Sequence, residues 1–175
     1  GVLGSFYTKQ LKETYDEGRI CTLPIDKLIP VDVWFDLGMT DSTAIVFKQV
    51  VGKEWHIIDA HEENGQDVSH YCRILKDKGY MYRYLYLPHD AFARRMESSH
   101  TIAEQFEDAG FAIKRVPEIS IENGIQQVRR IFPYLWFDKD RCKQLLNALQ
   151  NYHREYDEVA KVFKKTPKHD WSSHF

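Results

Sequence analysis

The pattern of apolar and polar positions predicts a group of short strands near the start of the chain. The helical spacing of Tyr7, Leu11 and Tyr15 predicts a first helix over Ser5–Glu17. A proline-containing connector over Arg19–Val31 follows this helix. Three apolar, β-branched runs then come in quick succession with short turns between them, which is typical of an antiparallel meander. These runs are Val33–Leu37, Thr43–Val50 and Trp55–Glu62.

The rest of the chain alternates between helical and strand-like patterns. Helices are predicted over Asp67–Lys78, Thr101–Ala109, Ile121–Phe132 and Cys142–Tyr156. Strands are predicted over Tyr84–Leu87, Phe111–Val116, Leu135–Phe137 and Val159–Phe163. Crossovers through helices make these later strands parallel to the first strand. The chain is therefore predicted to be α/β, and this order resembles the ribonuclease H-like fold. That fold is a mixed sheet, five-stranded or slightly larger, with three antiparallel and then parallel strands, flanked by helices.

Composition and charge exclude some classes of function but do not indicate a particular one. The chain has 175 residues and a formal net charge of −2, so any anionic partner must be met by local basic patches. Its three cysteines, Cys21, Cys72 and Cys142, form no CxxC pair, which argues against a zinc site or a disulfide framework and suits a reducing cytosol. No apolar run approaches the roughly 20 residues that span a bilayer, and no signal peptide is visible.

The stretch from Val33 to Thr43 contains the first candidate site. An apolar run ends in Asp36, Gly38 allows a tight turn, and Asp41 follows before the next strand begins. Two interpretations stay open for this stretch. An acid fixed at the rim of a sheet in this way can hold a divalent metal ion. Alternatively, the aspartates and the glycine serve only the turn of a β-hairpin.

A second acid follows the strand Tyr84–Leu87. Asp90 comes directly after Pro88 and His89, and in a ribonuclease H-like topology this strand lies beside the strand that ends at Asp36. Two carboxylates so close repel each other unless a cation sits between them, and a hard divalent ion with oxygen ligands is the natural occupant. The alternative for Asp90 is a helix-cap or turn acid, and His89 either supports it by a hydrogen bond or points away.

The end of the chain adds a third group of polar residues. Two histidines, one acid and two serines fall within the segment from Lys168 to Phe175. This segment is either a polar tail or part of a site, and Trp171 and Phe175 indicate that it packs against something.

With these pieces in order, the chain resembles the nuclease domain of phage terminase large subunits, the DNA-packaging motors of tailed phages. The matching segments are Phe35-Asp36-Leu37-Gly38 through Asp41-Ser42-Thr43-Ala44-Ile45, Leu87-Pro88-His89-Asp90-Ala91, Gly124-Ile125 with Val128-Arg129, and His169-Asp170-Trp171-Ser172-Ser173-His174. Together with the helical opening, they cover nearly the whole chain.

The resemblance implies a site of three acids, of which Asp36 matches the first and Asp90 the second. In the family, the third acid usually follows the Ser-Ser-His histidine by three residues, whereas this sequence ends at Phe175, one residue after His174. The third ligand therefore lies either beyond the residues given, which we favour, or at Asp170. Asp41 is a candidate for a second metal ion or a metal-bound water. His174 is either an outer ligand that positions water or a partly buried tail histidine.

The resemblance further implies a metal-dependent endonuclease that cleaves concatemeric double-stranded DNA by two-metal phosphodiester hydrolysis with Mg²⁺ or Mn²⁺. We expect residues 1–175 to form a single nuclease domain, with residues 1–31 as leading helix and connector. No GxxxxGKS or GxxxxGKT phosphate loop occurs in these residues, so we expect them not to include the packaging ATPase domain. The implied partners are that ATPase domain in the full-length chain, the terminase small subunit and the portal, in the host cell cytoplasm and without a membrane.

Local basic groups must hold the DNA if this interpretation is right. The candidates are Arg94, Arg95, Lys161, Lys164, Lys165 and Lys168, with Lys114, Arg115, Arg129 and Arg130 as further basic pairs. The alternative for each of these basic groups is that it only lies on a solvent-exposed surface and binds no DNA. Two other functions stay open: another ribonuclease H-like enzyme, of the transposase or junction-resolvase type, and a non-catalytic interaction domain whose acids only cap turns.

Overall fold

The computed structural model describes residues 6–37 and 42–152 with their side chains, and residues 154–157 and 162–167 by their backbone. The helices in these ranges are α1 (Thr8–Asp16), α2 (Val68–Lys78), α3 (Ile102–Asp108), α4 (Ile121–Ile131) and α5 (Lys143–Asn151). The strands are β1 (Ile20–Cys21), β2 (Val31–Leu37), β3 (Ser42–Val51), β4 (Glu54–Asn64), β5 (Tyr82–Leu87), β6 (Ile113–Arg115), β7 (Leu135–Asp138), β8 (Arg154–Asp157) and β9 (Val162–Pro167). Short 3-10 helices cover His89–Phe92 and Phe132–Tyr134.

Seven of these strands form one mixed sheet in the order β1-β7-β4-β3-β2-β5-β6. Strands β2, β3 and β4 are antiparallel neighbours, as the short turns between them require. Strand β5 lies parallel to β2, β6 parallel to β5, and β7 parallel to β4. The ends of β2, β5 and β6 therefore meet at one edge of the sheet, which we call the carboxyl rim. The predicted ribonuclease H-like α/β architecture is confirmed.

Alternation along the strands divides the core into two layers. Successive side chains of a strand point to opposite faces, so Val33 and Phe35 of β2 pack on one face together with Leu85 of β5. Helices α2 and α3 cover that face through Leu75 and Phe106. Because β2 and β5 are central strands with one fully buried face, a shift of register by one residue would expose this layer to water.

The opposite face is covered by α1, α4 and α5. Ile125 of α4 and Leu145 and Leu149 of α5 pack against Ile57 of β4 and Phe137 of β7. This layer lies mainly over β4 and β7. Asp32, Trp34 and Asp36 alternate with the residues of β2 that pack on the first face, and therefore belong to this second face.

Local signals account for the helix boundaries. The Asp67 side chain accepts a hydrogen bond from the His70 amide at the start of α2, and Gly79 takes the left-handed conformation (φ 69°) that ends it. Thr101 and Glu104 form a reciprocal capping box at the start of α3. Helices α2 and α3 both begin and end within one residue of the predicted positions.

Three features differ from the sequence prediction. Ile20–Cys21, within the predicted connector, forms an edge strand beside β7 and is too short to show any periodicity. Helix α5 ends at Asn151, not at Tyr156, because the backbone of Arg154–Asp157 pairs instead with Val162–Pro167. The last strand accordingly begins at Val162 and runs past the predicted end at Phe163. Within the described part of the chain, no helix is both long and apolar enough to cross a bilayer.

Candidate active site

The two predicted acids lie at the ends of neighbouring parallel strands. Trp34 of β2 lies opposite Tyr86 of β5, so two residues further along both strands Asp36 is level with Pro88. Asp90 follows in the 3-10 helix that begins directly after Pro88. Asp36 is half-buried, whereas the Asp90 side chain is 61% exposed. The structure thus places both acids at the carboxyl rim, and that they share a metal ion stays a prediction.

A bulge in β5 fixes the register that brings these strand ends together. Between the pairs Val31–Tyr82 and Val33–Leu85, β5 contains one more residue than β2. The buried Asp32 side chain fills this irregularity. It accepts a hydrogen bond from the Tyr84 amide (3.3 Å) and pairs with both the Nε atom (2.9 Å) and a terminal nitrogen of the Arg83 guanidinium. The bidentate pair therefore ties β5 to β2 four residues before Asp36.

Aromatic rings join the same two strands closer to the rim. Trp34 stacks on Tyr86, with ring centroids 4.4 Å apart and planes 5° from parallel. The ammonium of Lys48 lies over the Trp34 ring (4.6 Å) and over the Trp55 ring (4.4 Å). Burial lowers the pKa of Lys48, an effect that nearby Asp32 opposes and Arg83 adds to. These contacts hold the backbone of β2 firmly just before Asp36.

His89 contacts the second acid directly. Its Nε2 atom lies 2.9 Å from Oδ1 of Asp90 and 3.8 Å from Oε1 of Glu118, in the segment that follows β6. A histidine in this position can hold one carboxylate oxygen and leave the other directed toward a ligand. This contact agrees with the interpretation of His89 as a support for Asp90, through an ion pair that requires a protonated imidazole.

Glu62 is a carboxylate near the site that the sequence patterns did not indicate. Asp36 pairs with Ala44 of β3, and Ala44 pairs with Glu62 of β4, so the three residues form a row across adjacent strands. Paired residues share a face of the sheet, and Ala44 is small. The Glu62 side chain accepts a hydrogen bond from the Ser42 hydroxyl (3.2 Å). Only the register of β2 against β3 and of β3 against β4 places this acid in one row with Asp36, with Ala44 between them, and no local signal in the sequence could have found it.

A cavity of about 480 Å³ separates the Asp36 face of the sheet from α4. Asp36 and Pro88 line it together, which agrees with their positions at the same level of the two strands. Trp34 and Lys48 line it on the sheet side, and Gly124 lines it on the helix side. The first acid is therefore open to a space next to the rim instead of being enclosed in the core.

Several predicted site residues lie outside the described part of the chain. These are Asp41, Lys161, Lys168, Asp170 and His174. Lys164 and Lys165 belong to β9, of which only the backbone is described. Arg94 and Arg95 are exposed and follow Asp90 within a few residues of the chain, and their role in binding DNA stays a prediction.

The donors at the rim suit a hard divalent cation. Asp36 and Asp90 offer carboxylate oxygens, which Mg²⁺ and Mn²⁺ prefer over nitrogen or sulfur. Among residues 6–37 and 42–152, no three histidine, cysteine or acidic side chains are arranged to hold a metal ion on their own. The described residues therefore do not form a complete metal site by themselves, and a site that includes Asp36 and Asp90 stays a prediction.

The sheet order and the covering helices define a ribonuclease H-like fold. The family model described as the terminase RNaseH-like domain matches residues 33–170, and the chain belongs to this family. The predicted relationship to the terminase nuclease domain is thereby confirmed. No relative was found among curated protein sequences.

Solved structures of large terminases share the fold. A large terminase from a thermophilic bacteriophage, in complex with ADP, is 13% identical with a TM-score of 0.73, over 98% of this chain and 42% of that one. The P22 large terminase nuclease domain is 18% identical with a TM-score of 0.60, over 86% of this chain and 81% of that one. The large terminase nuclease from thermophilic phage G20c, with bound magnesium, is 15% identical with a TM-score of 0.62, over 99% of this chain and 94% of that one. The chain thus spans about 42% of the length of the ADP-bound large terminase.

Proposed function

We propose that this domain is a metal-dependent endonuclease that cleaves concatemeric double-stranded DNA during phage genome packaging in the host cell cytoplasm. The observation that supports it best is the parallel β2–β5 pair, whose register puts Asp36 level with Pro88 and Asp90 just beyond. Membership of the terminase family and the magnesium in the G20c nuclease agree with this proposal. The ATPase domain, the small subunit and the portal are its expected partners.

Asp36 and Asp90 would hold two divalent ions, Mg²⁺ or Mn²⁺, with a third acid from Asp170 or from beyond Phe175. When bound, such ions lower the pKa of water and neutralise charge on the scissile phosphate. His89 keeps the Asp90 carboxylate oriented through its 2.9 Å contact. Asp41 and His174 are proposed to support the ions or position water.

The DNA is proposed to lie across the carboxyl rim. Arg94 and Arg95, next to Asp90, would bind backbone phosphates on one side of the site. Lys161, Lys164, Lys165 and Lys168 are proposed to bind the backbone close to the end of the chain. Contacts of this kind carry no sequence preference, so we expect general affinity for duplex DNA.

Nicking of supercoiled plasmid in the presence of Mn²⁺ tests this function. Asp36→Asn and Asp90→Asn each keep the size of the side chain but remove a negative ligand, so we expect the nicking rate to fall by about a hundredfold or more. Asp77→Asn, an exposed aspartate on α2, is the matched control and should nick as the unsubstituted chain does. Unchanged nicking by Asp36→Asn would exclude an active site at this acid, and no nicking by the unsubstituted chain would leave a non-catalytic interaction domain.

A further inference from the structure

Two adjacent cations on the edge strand β6 are each held by an aromatic ring. The ammonium of Lys114 lies 4.3 Å from the centroid of the Tyr84 ring, and the guanidinium carbon of Arg115 lies 5.3 Å from that of Phe92. Both basic side chains are exposed. Cation–π contacts at such distances restrict a long side chain without removing its charge. We call Lys114 and Arg115 the β6 cation pair.

Neither member of this pair is neutralised by a carboxylate in the described part of the chain. Two other cations with ring contacts, Arg83 and Lys78, differ in this respect, because Arg83 pairs with Asp32 and Lys78 lies 2.7 Å from Asp59. The β6 cation pair therefore keeps a full double positive charge at a defined place on the surface. Ordering the side chains beforehand lowers the entropy cost of binding an anion, because fewer rotamers are lost.

The position of the pair relative to the rim suggests which anion it meets. Lys114 lies opposite Tyr86 and Arg115 opposite Leu87, so β6 ends at the same level as the strand that leads to Asp90. Phe92, under Arg115, belongs to the 3-10 helix that contains Asp90. Asp90 in this 3-10 helix and Glu118 in the segment after β6 both contact His89. Arg115 thus contacts the 3-10 helix that contains Asp90, and Lys114 contacts the strand that precedes this helix.

The two cations flank the edge strand on opposite faces. Tyr84 contacts Tyr86, which stacks on Trp34, so Lys114 belongs to the face that carries Asp36. Leu87, the partner of Arg115, belongs to the buried layer on the other face. Within the described residues, β6 is the last strand of the sheet, and its outer edge has no neighbouring strand. A phosphate backbone passing along this edge can therefore be contacted from both sides.

We propose that the β6 cation pair binds the phosphate backbone of duplex DNA beside Asp90. The pair would thereby position the part of the duplex that extends from the cleavage site along the edge of the sheet. The assignment rests on the proposed nuclease function for its ligand. It concerns binding, however, and can be measured without any cleavage. Binding of this kind is independent of sequence and depends strongly on salt.

Fluorescence anisotropy of a labelled duplex of about 30 base pairs, in Ca²⁺ and at KCl concentrations from about 50 to 200 mM, tests the proposal. The full 175-residue chain is compared with the variant Lys114→Gln/Arg115→Gln. The slope of log affinity against log salt is negative, and removing two phosphate contacts makes it less steep by about 1.8. The unsubstituted chain should therefore lose about twelvefold more affinity over this salt range than the variant does. Lys114→Arg should restore most of the binding lost on replacing Lys114 alone.

The matched control is Lys27→Gln/Lys53→Gln, which removes two exposed cations at the opposite end of the sheet. This control should keep the affinity and slope of the unsubstituted chain. An equal effect in both double variants, an unchanged slope in Lys114→Gln/Arg115→Gln, or no binding by the unsubstituted chain would each overturn the proposal. Plasmid nicking by the same proteins separates the two claims. If the unsubstituted chain nicks DNA but the pair does not contribute to binding, only this inference is refuted. If the pair contributes to salt-dependent binding but the unsubstituted chain does not nick DNA, only the proposed nuclease function is refuted.

Discussion

Trp34 and Tyr86 stack across the β2–β5 pair, with ring centroids 4.4 Å apart, two residues before Asp36 and four before Asp90. The stack joins the two parallel strands at the last level at which both are still regular. Lys48 lies over the Trp34 ring, so the indole cannot shift without losing two contacts. We infer that this aromatic contact determines how far apart the two acids lie.

Replacing Trp34 by leucine should therefore affect both stability and metal binding. A stacked aromatic pair contributes about 0.5–1.5 kcal/mol beyond its buried area, so we expect the free energy of unfolding to fall by at least that amount. Mn²⁺ affinity, measured by isothermal titration calorimetry, should fall with it. Trp136→Leu, on β7 and distant from both acids, is the control that should lower stability but leave Mn²⁺ affinity unchanged. Equal Mn²⁺ affinity in the two variants would show that the stack has only a structural role.

The Arg83–Asp32 pair should stabilise the same strand pairing. In Arg83→Met, the buried Asp32 carboxylate keeps the hydrogen bond from the Tyr84 amide but loses its guanidinium partner. Because Arg83 is 53% exposed and water can replace part of the lost contact, we expect a loss of about 1–3 kcal/mol in urea unfolding. Arg73→Met, an exposed arginine on α2, should change stability little. The double variant Asp32→Asn/Arg83→Met should be more stable than Arg83→Met, and no recovery would contradict the cost assigned to the unpaired carboxylate.

Asp138, at the end of β7, should make stability depend on pH. Burial alone would raise its pKa, but hydrogen bonds from the amides of Arg141, Leu23 and Asp140, with the Arg141 charge, outweigh burial and lower it. A carboxyl with a lowered pKa in the folded state binds protons more weakly there than in the unfolded chain. Its stabilising effect is therefore complete above the unfolded pKa of about 3.9 and is lost as the pH falls through the folded pKa.

Urea unfolding at several pH values between about 7 and 3 tests this effect in Asp138→Asn. The variant should be less stable than the unsubstituted chain at about pH 7, and the difference should shrink as the pH falls below about 5. Asp77→Asn serves as the control, since this exposed aspartate should give a difference near zero throughout. A constant difference between Asp138→Asn and the unsubstituted chain at all pH values would contradict the prediction.

Short-range patterns in the chain were sufficient to predict most of the helices and strands and the two acids at strand ends. The apolar runs before Asp36 and Asp90 and the cap signals at Asp67, Gly79 and Thr101 depend on residues close to each other in the chain. Such patterns act within one turn or one strand, and they can be interpreted without knowing what lies opposite. The family likeness depended on the same short segments, in the right order.

Which residues meet across the sheet could not be predicted in this way. Glu62 shares a face with Asp36 through Ala44, Arg83 reaches Asp32 from 51 residues away, and Tyr84 supports Lys114. Each of these contacts depends on strand order and register, and a single bulge in β5 is enough to change which side chains are neighbours. Periodicity fixes the face to which a side chain points, whereas the packing of the whole sheet fixes the partner that it finds there.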